Sequence, residues 1–201
     1  EIGIEYQIVK HQRDSETSLA PDSLKAVHAL GKAPVLEDKG LVVPESGAII
    51  EYLAKTYAAD TLLPDNNPED ENQYTYWMHF SEGTLMPPMV MRLVMERVKS
   101  SPKPFFARGI ANGIANKVLS NFVVPNIGRN LAYINDYLSG KSWFAGEHMT
   151  GADIQMSFPL EAVVATGGAK DYPNIMAFVK RVHARPAYQR ALEKGGEYAY
   201  G

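Results

Sequence analysis

Cysteine is absent from all 201 residues, which excludes disulfides, thiolate metal ligands and a cysteine nucleophile within this sequence. Histidine is sparse. The five stand at positions 11, 28, 79, 148 and 183, never at close ligand spacing and never as His-Glu-x-x-His, so no metal site is expected. There is no glycine-rich phosphate loop and no Gly-x-Ser-x-Gly turn. No apolar run approaches the roughly 18 residues of a membrane span, and no signal-peptide pattern is visible. These absences predict a cytoplasmic protein without a membrane partner. A formal net charge of −3 gives no electrostatic ground for binding nucleic acid either.

What is present is an ordinary globular composition, 45% apolar and 21% charged, with length enough for one large or two small cores. The densest stretch runs from Gly31 to Leu53. Ala33 to Leu36 is a short apolar run opened by a proline, Asp38-Lys39-Gly40 is turn chemistry, and Leu41 to Val43 is a second short strand, so the two are predicted to pair as an antiparallel hairpin. Ser46 then stands at an N-cap position before Ile49, Ile50, Leu53 and Tyr57, whose spacing predicts a helix. A helix start presents unpaired N–H groups and the positive end of the macrodipole, which can hold a carboxylate. Glu45, beside it, brings a negative charge within reach of an accompanying amine. Pro34 at a strand start leaves an edge to which a peptide-like ligand can add. Singly, these residues are a cap, a solvated charge and a strand starter; their combination is what points to a site.

Elsewhere, Ile4, Tyr6 and Ile8 alternate with Glu5 and Gln7 as in a half-buried strand. The segment from His11 is polar and turns helix-like from Pro21. Turn formers from Ala58 to Pro68 mark a domain boundary, after which Asn67, Pro68 and the acidic residues 69–71 predict a strong helix start. That helix carries Tyr74, Trp77, Met78, Ser81 and Leu85 inward, and Pro87-Pro88 is expected to kink it. Five of the eight methionines fall between Met78 and Met95; core packing is preferred for them over a pocket for apolar molecules. A second helical segment spans residues 105–138 with Ile110, Ile114, Val118, Ile127, Leu131 and Ile134 as its apolar set and a kink at Pro125. Thr150 and Asp153 form a capping box, with Met149 stapling onto Ile154, and Asp153 is read as structural. Helices to Ala165, from Pro173 to Ala184 and from Pro186 to Leu192 complete the chain. Tyr198 and Tyr200 lie in a tail for which disorder is expected. Strands cease after Val43, so an α+β part precedes an all-helical part.

The block Lys32-Ala33-Pro34-Val35-Leu36, followed by Glu45-Ser46-Gly47-Ala48-Ile49, resembles the glutathione-binding half of the soluble glutathione S-transferases. Residues 24–32 resemble a bacterial and fungal branch of that family, and Met149 to Asp153 its buried local motif. The resemblance implies a thioredoxin-like domain over 1–58, a linker over 59–67 and an all-α domain over 68–201, with the active cleft between the domains. It implies that Pro34 is cis, that Ala33 pairs its backbone with the cysteinyl part of glutathione, that Glu45 and Ser46 hold the γ-glutamyl end, and that Lys32 lies near the glycyl carboxylate. Glutathione is then a co-substrate, with no other cofactor, and the partners are an apolar electrophile and a second copy in a homodimer. The family's first strand and helix, on the order of 20 to 25 residues, are expected upstream of Glu1 together with the catalytic group. Conjugation and peroxide reduction both remain open. So do a non-catalytic carrier and a structural module of the same fold.

Overall fold

In the computed structural model, which describes residues 1–12, 14, 19–102 and 104–200, the chain divides into two units, Glu1–Leu63 and Pro64–Gly201. The first unit is built on a hairpin. Strands β1 (Val35–Asp38) and β2 (Leu41–Pro44) pair antiparallel with Val35 opposite Pro44 and Asp38 opposite Leu41. The two-residue connection has φ 50° at Lys39 and φ 85° at Gly40, the double positive φ that matches the twist of a tight hairpin. A short helix, α1 (Asp22–Val27), precedes it and buries Leu24. Helix α2 (Ser46–Tyr57) follows, and a single turn, α3 (Ala59–Leu62), lies inside the stretch expected as linker.

The alternating segment at Ile4, Tyr6 and Ile8 does not form a strand. Among the described residues the only strands are β1 and β2, and the three side chains are 42%, 54% and 50% exposed. Alternation supplies a face, but a strand also needs a neighbour to accept its N–H groups. The polar stretch after His11 lies partly outside the described residues.

The second unit is helical: α4 (Pro68–Phe80), α5 (Met86–Ser100), α6 (Phe105–Val118), α7 (Val124–Tyr137), α8 (Gly151–Ala165), α9 (Pro173–His183) and α10 (Pro186–Gly195). Asn67 caps α4, accepting the Asp70 N–H at 2.9 Å. The core centres on Trp77, whose ring lies 4.6 Å from Phe144 and 4.7 Å from Tyr137, with Phe178 5.0 Å beyond Phe144. Such aromatic clusters bury large apolar areas in offset and edge-to-face geometry.

At both predicted kinks the helix continues through a π-helical turn, over Ser81–Leu85 and Leu119–Val123. A proline removes one N–H from the ladder, and an i→i+5 turn just before it shifts the register so that fewer acceptors are orphaned. The Thr84 carbonyl, four residues before Pro88, instead accepts the Asn130 side chain at 3.1 Å.

Two packing expectations fail here. None of the five clustered methionines is buried: Met78, Met86, Met89 and Met95 are half-buried and Met91 is exposed. The core is filled from α4, α7, α8 and α9 and from the 143–145 connector, leaving them at its margin. Ile110 and Ile114 are 69% and 60% exposed, whereas Ile127, Leu131 and Ile134 are buried as expected.

The capping box forms. The Asp153 carboxylate accepts the Thr150 N–H at 2.7 Å, the Thr150 hydroxyl at 3.0 Å and, nine residues upstream, the Phe144 N–H at 2.8 Å. It therefore ties the connector to the helix start. Burial pushes its pKa up to about 6, against the opposing pull of those hydrogen bonds.

Candidate functional site

The hairpin register decides which residues meet. Val35 and Pro44 are the last pair, so Pro34 and Glu45 stand immediately beyond them, and Ala33 and Ser46 one step further, at the open end of the hairpin. Two adjacent pairs, Ala33–Pro34 and Glu45–Ser46, well separated in sequence, are thereby gathered at one place. The Ala33–Pro34 peptide bond is cis. Lys32, Ala33, Pro34 and Glu45 are exposed and Ser46 is half-buried, so no core packing explains their residue types.

Ser46 is the first residue of α2 and not its cap; the cap is Glu45, at φ 70° and ψ 127°, and no side chain caps the helix. The first intrahelical bond runs from the Ile49 N–H to the Glu45 carbonyl at 2.9 Å, so the N–H groups of Ser46, Gly47 and Ala48 precede the ladder. Three amides at the positive end of a helix form an anion cradle. A glutamate at positive φ costs on the order of 1 kcal/mol or more, and such residues cluster at ligand clamps. Sequence could not reveal this, because glutamate carries no preference for that conformation.

A clasp fixes α2 against the hairpin turn. Asp38 accepts the hydroxyls of Tyr52, at 2.7 Å, and Tyr57, and the Lys39 ammonium sits 4.9 Å above the Tyr57 ring. The two tyrosine hydrogen bonds hold the Asp38 carboxyl below its ordinary range. This clasp escaped the sequence reading; its signal was an acidic residue at the turn followed by two tyrosines on the next helix. With the turn end so anchored, the helix start is presented at the opposite, open end of the hairpin.

Comparison with known proteins identifies the family of the chain. The family pattern "Glutathione S-transferase, N-terminal domain" matches residues 1–55, and "Glutathione S-transferase, C-terminal domain" matches residues 116–186. Glutathione S-transferase 3 of Schizosaccharomyces pombe is 33% identical over 195 residues, covering 96% of this chain and 79% of that protein. Glutathione S-transferase 1 of Saccharomyces cerevisiae is 28% identical over 202 residues, covering 96% and 86%. Among solved structures, a glutathione S-transferase from Actinobacillus pleuropneumoniae superposes with a TM-score of 0.71 at 31% identity, covering 96% of this chain and 82% of its own. The chain belongs to the glutathione S-transferase family.

Proposed function

We propose that this chain is a glutathione S-transferase that binds glutathione at the open end of the β1–β2 hairpin and delivers its thiolate to electrophilic apolar substrates. The first unit is the glutathione-binding domain and the second the all-helical domain. The amides and hydroxyl at the start of α2, Ser46 foremost, hold the γ-glutamyl carboxylate, and the Glu45 carboxylate pairs with the adjacent ammonium. Ala33 offers its backbone to the cysteinyl residue as an added strand would, beside Pro34. Lys32 neutralises the glycyl carboxylate. A thiol near pKa 8.5 is only a few per cent ionised at neutral pH, so holding the thiolate form is what the catalyst must achieve. Peroxide reduction by the same thiolate is the second activity of this reading.

The observation that carries the proposal is the uncapped α2 start, entered through a positive-φ glutamate and placed by register beside Ala33 and Pro34. Near-full-length similarity to proteins named as glutathione S-transferases favours catalysis over a non-catalytic carrier. No helix among the described residues is long and apolar enough to cross a membrane, and we place the protein in the cytoplasm. A homodimer is part of the proposal. The α5 and α6 side chains Leu93, Val94, Phe105, Phe106, Ile110 and Ile114, each 50% to 85% exposed, form an apolar surface of the kind that a second copy covers. Light scattering at micromolar concentration tests the dimer, a mass near twice the chain's 22.2 kDa being expected and a monomer mass contradicting it. Turnover of a simple aryl halide with glutathione tests the activity, and a complete lack of conjugation by a protein that binds glutathione contradicts it.

A further inference from the structure

A cavity of about 330 Å³ opens in the helical unit, lined by Phe158 and Glu161 of α8, Tyr188 and Leu192 of α10, and Glu197 and Tyr198 of the segment that follows. None of these residues belongs to the first unit. Glu161 is only 3% exposed, an acid in the otherwise apolar run Phe158-Pro159-Leu160-Glu161-Ala162-Val163. Its Oε2 accepts the Tyr198 hydroxyl at 2.5 Å, while its Oε1 has no hydrogen-bond partner. His183 Nε2 stands 3.4 Å away and completes no hydrogen bond; its ring is stacked on Tyr188, with centroids 4.5 Å apart. The Tyr188 hydroxyl is likewise buried, beside Glu161 but with no well-formed hydrogen bond. Burial and the Glu161 charge push that hydroxyl up to about 12, so it remains a donor.

A buried carboxylate is tolerated when it is paired and fully hydrogen-bonded, and here one oxygen accepts a well-formed hydrogen bond while the other has only the His183 Nε2 contact at 3.4 Å. The charged residues of the lining are Glu161 and Glu197, with no lysine or arginine, and three aromatic rings, Phe158, Tyr188 and Tyr198, surround them. Carboxylate and aromatic faces together select cations, and the volume is that of a small-molecule pocket. We propose that this cavity binds a small organic cation, a protonated amine or guanidinium on a short apolar body, with its charged head on Glu161 and its body against Leu192 and Phe158. Tyr198 acts as the removable cover. It follows Gly195 and Gly196, the latter at φ 84°, and moving it bares the oxygen that its hydroxyl now occupies. The expectation of a disordered tail is overturned by the same contacts, since Tyr200 also packs 6.0 Å from the Phe158 ring.

The test is an NMR titration of the whole chain with n-butylammonium and with methylguanidinium, using n-butanol as the uncharged control. Saturable shifts of amides around Phe158, Glu161 and Leu192 are expected for at least one cation and none for n-butanol, with affinity at least roughly tenfold weaker in Glu161→Gln. Should that variant not fold, Leu192→Trp, which fills the cavity, must abolish the shifts. No saturation by either cation up to about 10 mM, a concentration at which even weak pocket ligands bind, overturns the proposal. So does equal binding of n-butanol, or binding unchanged in the folded variant tested.

Discussion

The two units differ in where their stability comes from. In the helical unit Trp77, Phe144, Phe178, Leu85, Ile134, Met156, Leu160 and Ile175 are each under 2% exposed. In the first unit the buried apolar side chains among the described residues are Leu24, Ala54, Ala58 and Leu62, mostly small, and its order rests on a tight turn and a tyrosine clasp. The difference teaches a division of labour. The helical unit is a close-packed scaffold, while the described residues of the first unit bury few large apolar side chains and hold Glu45 at positive φ. A ligand bound there should therefore stabilise its own unit more visibly than any surface contact does.

The comparison can be broken most strongly in the helical core. Phe144→Ala empties the centre of the aromatic cluster and should cost about 4 kcal/mol, read as a fall in denaturation midpoint, with glutathione affinity of the folded fraction unchanged. Asp153→Ala should cost about 3 kcal/mol, because it leaves the buried N–H groups of Phe144 and Thr150 without acceptors; a capping loss alone is about 1 kcal/mol. Asp153 also makes a pH signature. Its folded pKa, about 6, lies above the ordinary 3.8, so between about pH 4 and 6 the folded chain holds a proton that the unfolded chain has released. Its contribution is therefore greatest below pH 4 and declines as pH rises to 6, by up to about 3 kcal/mol. Denaturation of Asp153→Asn across that range should lack this slope.

Smaller effects belong to the first unit. Gly40→Ala forces a side chain into φ 85° and should cost about 1 kcal/mol, seen as earlier melting. Glu45→Gly should do the reverse, relieving the positive φ and raising stability by about 0.5 kcal/mol while losing glutathione affinity. Destabilisation by that change would show that the conformation of Glu45 is not strained.

How much was legible in the sequence follows from which interactions are local. The hairpin, the start of α2, the Asn67 cap and the Thr150–Asp153 box are encoded within a few residues, and each formed where the sequence placed it, apart from Ser46 moving from cap to first helical residue. Non-local choices were not legible. Whether Ile4 to Ile8 finds a strand to pair with, whether methionines at helical spacing face the core or its margin, and whether Tyr198 finds Glu161 depend on segments far away in the chain. The π-helical turns lie between these cases: the prolines announced a disturbance, but its form depended on which donors lay nearby, the Asn130 amide donating to the Thr84 carbonyl being one. For the site, register gathered the residues, and the one feature no pattern could show was the backbone conformation of Glu45.

The central claim is that glutathione's γ-glutamyl end rests on the start of α2. Calorimetric titration of glutathione into the unmodified chain, Ser46→Ala and Glu45→Gln tests it most directly. The account predicts saturable binding to the unmodified chain, weakened roughly tenfold or more in each variant with the fold intact, as expected when a charge-assisted hydrogen bond is lost. Affinity unchanged in both variants would contradict it.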